Sequence, residues 1–180
     1  MSKKILIISS SPRKNGNSEM LCQRFQKGAE EVGHVVRLVN LNDYNIGFCK
    51  GCYACSNNDG VCFQNDDMAS LADKLISADV IVFATPVYFY SMSGQLKTFI
   101  DRLVPVYEKL TKKDVYIFVT AADENEEMLE STVEAIRGLT RDCMEGTKEK
   151  GVIKASGVTD IGDIKGTDAY KQAYELGKNS

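Results

Sequence analysis

Four of the six cysteines in this sequence crowd into one short segment. Cys49, Cys52 and Cys55 repeat every three residues, and Cys62 follows seven residues later. Three thiolates at that spacing can wrap one compact centre, and the fourth thiolate can complete it. Consecutive Cys-x-x-Cys steps are typical of the ferredoxin-type run that binds a 4Fe–4S cluster. The segment therefore predicts metal or redox chemistry rather than a disulfide framework.

Other interpretations of the cysteine segment stay open. A zinc site usually has two Cys-x-x-Cys pairs separated by a longer spacer, which matches this spacing less well. No proline follows Cys62, so the ferredoxin pattern is only partly met. Plain thiols or a redox disulfide would need no metal. Cys22 and Cys143 stand alone, and we expect both to be structural.

Residues 9–18 collect hydroxyls, amides and a guanidinium directly before a helical pattern. The N–H groups of a helix N-terminus join these side chains, and together they can hold a phosphate. Gly16 allows a close backbone approach. The alternative is an ordinary turn whose helix is capped by Asn17 or Ser18. The candidate phosphate-binding residues are Ser11, Arg13, Asn15, Asn17 and Ser18.

Two familiar phosphate motifs do not occur in residues 9–18. The segment has no Gly-Lys-Ser/Thr triplet of a Walker loop and no Gly-x-Gly-x-x-Gly fingerprint of a dinucleotide fold. The pattern favours a mononucleotide, and a module that binds some other nucleotide remains an alternative.

Residues 85–91 follow another buried apolar run and are rich in aromatic side chains. Pro86 stiffens this segment, and Tyr88, Phe89 and Tyr90 offer flat surfaces that can pack on an aromatic ring. Backbone N–H groups exposed there can bind the carbonyl edge of such a ring. The same aromatic side chains could instead be core or dimer contacts.

The sequence resembles a known family in both segments. Ser11-Pro12-Arg13-x-x-Gly16-Asn17-Ser18 is similar to the phosphate loop of the NADPH-dependent FMN reductase group in the flavodoxin-like superfamily, and the similarity extends through residues 85–97 and Asp101-Arg102. With the cysteine segment included, it looks nearest to the iron–sulfur flavoproteins of that group. The resemblance covers most of the chain and weakens after about residue 125.

The resemblance implies bound FMN and a metal cluster. It implies that the isoalloxazine ring is lined by Pro86, Val87, Tyr88, Phe89, Tyr90 and Ser91. It also implies that one 4Fe–4S cluster beside the FMN is ligated by Cys49, Cys52, Cys55 and Cys62. Flavin reductases of this kind commonly pair so that one subunit covers the flavin of the other, which implies a homodimer or homotetramer.

Alternating strand and helix patterns must position these segments. Short apolar runs predict strands at 4–9, 34–41, 79–85, 114–120 and 151–156. Helical spacing predicts helices at 17–32, 66–77, 94–109, 126–144 and 168–177, whereas 42–65 has no periodicity and carries the cysteines. This alternation predicts a single α/β domain over 1–180, a flavodoxin-like doubly wound sheet of five parallel strands in the order 2-1-3-4-5. Ligands of such sheets bind beyond the carboxyl ends of the strands, where the strand order reverses.

Composition excludes several classes of function. The chain has 180 residues, a net charge of −3 and 43% hydrophobic residues. This balance is ordinary for a globular domain and lacks the basic excess of a nucleic-acid-binding protein. No apolar run is long enough to cross a membrane. We interpret the run after Lys4 as a strand rather than a targeting segment and expect a cytoplasmic protein.

The combined patterns predict an FMN-dependent oxidoreductase. We expect NAD(P)H or a redox protein to donate electrons, and a quinone, a flavin or a protein such as ferredoxin to accept them. The alternative is a flavodoxin-like iron–sulfur electron carrier without a substrate site of its own. A one-electron relay has little use in a simple hydride-transfer reductase, which is the argument for the carrier.

Overall fold

The computed structural model describes residues 1–180 and consists of a parallel sheet with helices on both faces. The strands are β1 (Lys4–Ser9), β2 (Val35–Asn40), β3 (Val80–Tyr88), β4 (Ser91–Met92), β5 (Asp114–Thr120) and β6 (Lys148–Ala155). The helices are α1 (Asn17–Glu31), α2 (Met68–Ser77), α3 (Gly94–Asp101), α4 (Glu130–Thr140) and α5 (Asp168–Lys178). None of these helices has the length and the apolar composition of a membrane-spanning segment.

The five long strands lie in the order β2-β1-β3-β5-β6, and all four pairings between them are parallel. The prediction of exactly five strands was wrong, because the sheet has a sixth strand. The backbone stays extended past Thr85 to Tyr88 and then turns back, so that β4 pairs with β3 in antiparallel fashion. Counting the long strands alone, the order is the predicted one.

Two predicted helices are too long at their C-terminal ends. Helix α3 ends at Asp101 rather than at residue 109, and Arg102 forms its C-cap. Pro105 cannot donate a backbone hydrogen bond and crowds the preceding turn, which explains the early end. Helix α4 covers Glu130–Thr140 of the predicted 126–144, and residues 126–129 form a tighter 3₁₀ turn before it.

The sheet is buried on both faces because alternate residues of its central strands enter different apolar layers. In β1, Leu6 and Ile8 belong to a cluster of 24 buried residues that includes side chains of α2, α3 and α4. Ile5 and Ile7 belong to a second cluster of 16 buried residues with side chains of α1 and α5. Strand interiors of this kind have no room for polar side chains, so the chemistry must lie at the strand ends.

Helices α1 and α5 approach each other through two glycines. A Cβ atom at Gly28 would overlap the carbonyl oxygen of Tyr174, and one at Gly177 would overlap the carbonyl oxygen of Phe25. Both obstacles are backbone atoms, which cannot rotate away. The absence of side chains at these two positions therefore sets how closely the two helices pack.

Replacing Gly28 by alanine should destabilise the protein. Forcing a methyl group into this crossing should lower the free energy of unfolding by about 1–3 kcal/mol. Gly138→Ala in α4 is the matched control, because a Cβ atom there meets nothing within 4 Å. The control should raise stability by about 0.5–1 kcal/mol, since alanine is the better helix former. Urea denaturation measures both, and equal stability of the two variants would refute the close crossing.

Candidate functional site

The carboxyl ends of β1, β3 and β5 border a cleft of about 190 Å³, which we call the carboxyl-edge cleft. The cleft is lined by Ser11, Arg13, Gly16, Asn17, Ser18, Pro86, Val87, Tyr88, Thr120, Ala121, Ala122, Val158 and Thr159. The structure thus brings together seven of the predicted flavin-site residues. Four others, Asn15, Phe89, Tyr90 and Ser91, do not line the cleft.

Gly16 forms the floor of a tight cradle at the start of α1. It is the N-cap residue of α1, and no side chain caps the helix, so the alternative interpretation, a helix capped by Asn17 or Ser18, does not hold. The first N–H groups of α1 consequently have no acceptor within the helix. A Cβ atom at Gly16 would lie 2.9 Å from Ser11 Oγ and 3.1 Å from the Arg13 carbonyl oxygen. This cradle, with free N–H groups, a hydroxyl and a nearby guanidinium, has the donors that a phosphate group needs.

The side chains of Asn17 and Ser18 bind other parts of the protein. Asn17 Nδ2 donates to the Asp160 carbonyl at 2.9 Å, and its Oδ1 accepts the N–H of Gly162 at 3.1 Å. The hydroxyl of Ser18 lies 2.7 Å from that of Thr120 at the end of β5. These two residues can therefore offer a phosphate their backbone N–H groups, while their side chains brace the cleft.

Ser11 and Arg13 hold the opposite side of the cradle. The Arg13 N–H donates to Ser11 Oγ at 3.3 Å, and Arg13 Nη1 donates to the Thr159 carbonyl at 2.9 Å. Arg13 is exposed and Ser11 is buried. Asn15 lies at the outer rim with a φ of 55°, and its N–H donates to the Glu19 carboxylate at 2.6 Å.

A buried set of hydroxyls joins the two predicted segments. Ser93 Oγ donates to Ser10 Oγ at 2.9 Å, and Ser10 Oγ donates to the Ala84 carbonyl at 3.0 Å. The Ser93 N–H donates to Thr85 Oγ1 at 3.0 Å, and Ser93 also caps α3. All three hydroxyl-bearing side chains are inaccessible to solvent. These bonds fix the position of residues 85–91 relative to the phosphate cradle.

The turn between β3 and β4 holds two aromatic residues in a strained conformation. Phe89 and Tyr90 have φ angles of 49° and 60°, a region that hairpin turns normally fill with asparagine or glycine. Phe89 is fully exposed, and Tyr90 is 57% exposed. Strain of this kind costs about 1–3 kcal/mol per residue and is concentrated at functional sites.

The four clustered cysteines line a second cavity of about 120 Å³, which we call the cysteine cavity. Tyr53, Phe63, Val104 and Pro105 provide apolar walls, and Lys50 and Arg102 provide positive charge. No three of the thiols lie close enough together to hold a single metal ion. Four thiols around one cavity form a soft donor set, the kind of ligand that zinc and iron–sulfur centres use. The cysteine cavity shares no lining residue with the carboxyl-edge cleft.

The cysteine segment is attached to the protein body by a buried ion pair. Arg102 donates from Nη1 to Asp66 Oδ2 at 2.6 Å and from Nη2 to Asp66 Oδ1 at 3.0 Å. Only 2% of the Arg102 side chain and 9% of the Asp66 side chain are exposed. Hydrogen bonding from Arg102 lowers the pKa of Asp66, although burial acts in the opposite direction. Arg102 Nη2 also lies 3.7 Å from Cys62 Sγ.

The two isolated cysteines differ in exposure. Cys22 is fully buried, and burial strongly raises the pKa of its thiol, which agrees with a structural role. Cys143 is exposed.

A family model for NADPH-dependent FMN reductases matches residues 3–139. The chain belongs to this family. An iron–sulfur flavoprotein of Archaeoglobus fulgidus is 37% identical over 109 residues, which are 61% of this chain and 49% of that protein. An iron–sulfur flavoprotein of Methanosarcina thermophila is 37% identical over 106 residues, which are 59% of this chain and 55% of that protein. The chain thus spans about half the length of these relatives.

A solved structure supports the fold of this family member over its whole length. The NAD(P)H:quinone oxidoreductase from Methanothermobacter marburgensis superposes with a TM-score of 0.77, covering 99% of this chain and 97% of that chain. The sequence identity is 17%. This similarity confirms the predicted flavodoxin-like α/β fold.

Sequence reasoning missed residues that only three-dimensional proximity reveals. Val158 and Thr159 complete the carboxyl-edge cleft, and Ser93 joins its two main segments. Nothing in the local sequence marks Val158 or Thr159, because residues after β6 reach the cleft only when the sheet is assembled.

Replacing Asp66 by asparagine should lower the free energy of unfolding near neutral pH. The free energy of unfolding of the variant should also fall less steeply than that of the parent protein as the pH is lowered. A carboxylate with a lowered pKa stabilises the fold above its unfolded-state pKa, and this contribution disappears as the pH falls through the folded-state pKa. Asp66→Asn leaves the Arg102 charge unpaired. The expected loss is about 3 kcal/mol, the lower end for a broken buried pair, because this pair lies beneath a surface loop.

Urea denaturation from neutral pH down to about pH 3 measures this effect, since carboxylate contributions fade below about pH 5. Asp168→Asn is the control, because Asp168 also forms an ion pair, with Lys171, but is almost fully exposed. Solvent screening should leave that variant close to the parent protein. If the free energy of unfolding changes with pH in the same way in the parent protein and in Asp66→Asn, the prediction is contradicted.

Proposed function

We propose that this chain is an FMN-dependent oxidoreductase that passes electrons from NAD(P)H or a redox protein to a quinone, a flavin or a protein acceptor. The observation that carries the proposal is the carboxyl-edge cleft, where a phosphate cradle and the end of β3 face one space at the switch point of the sheet. Family membership supports the same cofactor. The carrier function remains the second candidate, because Cys49 and Cys52 are exposed at a potential metal centre.

In this proposal the cradle binds the phosphate of FMN. Ser11 Oγ, the guanidinium of Arg13 and the first N–H groups of α1, at Asn17 and Ser18, surround the anion. Asn15 contributes from the outer rim. Arg13 also spans the cleft to Thr159, which restricts the exit of the bound group. The positive end of the α1 dipole favours the negative charge.

The flavin ring is proposed to lie along the end of β3. Pro86, Val87 and Tyr88 line the cleft, and Ala121 and Ala122 leave space opposite them. Phe89, Tyr90 and Ser91 form the exposed turn beyond the ring. FMN supplies hydride acceptance and one-electron chemistry when it is bound. The protein residues bind and orient it, and no side chain is proposed to be catalytic, because hydride transfer to a flavin needs no side-chain base.

We also propose that Cys49, Cys52, Cys55 and Cys62 ligate one 4Fe–4S cluster. Support comes from their common cavity and from two cations, Lys50 and Arg102, which line it together with one carboxylate, Asp101. Two relatives that cover part of this chain carry the name iron–sulfur flavoprotein.

The exposed aromatic turn supports a homodimer or homotetramer. A fully exposed Phe89 held in a strained conformation is best explained by contact with a second copy of the chain. A reducing compartment such as the cytoplasm suits the free thiols, three of which are exposed.

Anaerobic purification followed by visible absorbance and analysis of iron and sulfide tests both cofactors. We expect a flavin spectrum with about four iron and four sulfide ions per chain, the composition of one such cluster. Failure to bind added FMN would refute the proposed function, and zinc in place of iron would refute the cluster. The rate at which the FMN-loaded protein oxidises NADPH or NADH then distinguishes the enzyme from the electron carrier. No turnover with either nucleotide, together with rapid electron exchange with ferredoxin, would overturn the enzyme in favour of the carrier.

Replacing Gly16 by valine should weaken FMN binding. The added side chain would push apart Ser11 and Arg13, and a packing cost of about 1–3 kcal/mol corresponds to about 5- to 150-fold in affinity. Quenching of FMN fluorescence measures the dissociation constant. Gly138→Ala, far from the cleft in α4, should bind FMN like the parent protein. Unchanged affinity in Gly16→Val would show that the cradle does not hold the cofactor.

A further inference from the structure

We propose that Arg102 is a positioning residue of the metal centre: its guanidinium closes the base of the cysteine segment and donates a hydrogen bond to the sulfur of Cys62. This inference rests on the proposed 4Fe–4S cluster. In this inference the buried guanidinium has two roles. It holds the four cysteines in place before the metal binds, and its positive charge affects the reduction potential of the cluster.

The guanidinium closes the loop that carries the cysteines. Arg102 Nη1 donates to the Gly47 carbonyl at 2.7 Å, at the beginning of the segment, and to Asp66 Oδ2 at 2.6 Å, at its end. The Gly47 N–H donates to the same Asp66 oxygen at 2.9 Å. One side chain from the end of α3 thus holds together two residues that are 19 apart in the sequence.

Between these ends the segment has few other attachments to the protein body. Its backbone hydrogen bonds are local, such as those from Ser56 to Tyr53 and from Gly60 to Cys55. Positive φ angles at Gly51, Tyr53, Asp59 and Gly60 mark tight turns on both sides of a short 3₁₀ helix at Ala54–Asn57. A second tie, between Asn45 and Asp67, lies outside the clamp and binds none of the cysteines. A third tie lies inside the clamp: the side-chain amide nitrogen Gln64 Nε2 donates to the Phe48 carbonyl at 3.2 Å and lies 4.0 Å from Cys62 Sγ, but it carries no charge.

Cys62 is the only one of the four clustered cysteines whose sulfur accepts a hydrogen bond from a buried cation. Arg102 Nη2 lies 3.7 Å from Cys62 Sγ, and the same nitrogen donates to Asp66 Oδ1 at 3.0 Å. The carboxylate holds the guanidinium plane in place, so the N–H directed at the sulfur is fixed before any metal binds. A hydrogen bond from a cation to a ligating thiolate stabilises the more negative, reduced state of a cluster and so raises its reduction potential.

A lysine at position 102 cannot make the same set of contacts. The planar guanidinium reaches a carbonyl, a carboxylate and a sulfur at once, whereas an ammonium group is a compact point charge on a flexible stem. Arg102→Lys therefore keeps the charge and loses part of the geometry. Arg102→Gln removes the charge as well.

The experiment compares anaerobically reconstituted parent protein with Arg102→Lys, Arg102→Gln and the control Lys50→Gln. Lys50 lines the same cavity and is exposed, but it donates no hydrogen bond to a cysteine sulfur. Iron and sulfide content, the rate of iron loss to a chelator and the midpoint potential of the cluster are measured for each. FMN affinity reports on folding, because the carboxyl-edge cleft contains no residue of the clamp.

We expect both Arg102 variants to retain FMN affinity and to hold iron about 10- to 100-fold more weakly, the usual effect of losing a residue that supports a metal ligand. The cluster that remains in Arg102→Gln should have a lower midpoint potential than that of Lys50→Gln. If Arg102→Gln fails to bind FMN, Arg102→Lys provides the test through the same three measurements.

Parent-like iron retention and potential in an Arg102 variant would overturn the inference, as would an equal shift of potential in Lys50→Gln. Failure of the parent protein itself to take up iron and sulfide, with FMN binding intact, would instead refute the proposed cluster. The two failures are therefore distinguishable.

Discussion

Burial of the parallel sheet on both faces is the constraint from which the rest of the structure follows. Ile5 and Ile7 contribute to one apolar layer, and Leu6 and Ile8 contribute to the other. Polar chemistry is consequently excluded from the strand interiors and concentrated where the strands end. Because all five long strands run in the same direction, the segments after β1, β3 and β5 emerge at one edge and border one cleft.

Hydrogen bonds between buried hydroxyls hold the segments of the carboxyl-edge cleft in place. Ser10, Thr85 and Ser93 come from two distant segments of the chain, yet their hydrogen bonds place the phosphate cradle and the end of β3 in a fixed relation. A buried hydroxyl without a partner would be costly, so these bonds restrict the geometry of the cleft before any ligand binds. The strained turn at Phe89 depends on the same support, because β4 leads directly into Ser93 and the cap of α3.

A second polar network, around Arg102, serves the cysteine segment. A buried ion pair contributes modestly to net stability, but it strongly disfavours arrangements in which either charge is left unpaired. The pair of Arg102 and Asp66 therefore specifies the position of a long irregular segment that lacks an apolar core of its own. The phosphate cradle and the cysteine segment thus follow one principle: a functional loop is held at its base by polar groups that are buried and mutually satisfied.

The sequence alone determined the alternation of strands and helices, the order of the long strands and the two segments that meet at the carboxyl-edge cleft. These features depend on local periodicity and on the chirality of parallel connections, which act at short range along the chain. Only the tertiary structure decided that Gly16 rather than a side chain caps α1, that Asn17 and Ser18 brace the cleft, and that Thr159 and Ser93 belong to the site. It likewise decided that Arg102 joins Asp66 to Cys62, because hydrogen bonds between residues distant in sequence depend on packing that no local pattern encodes.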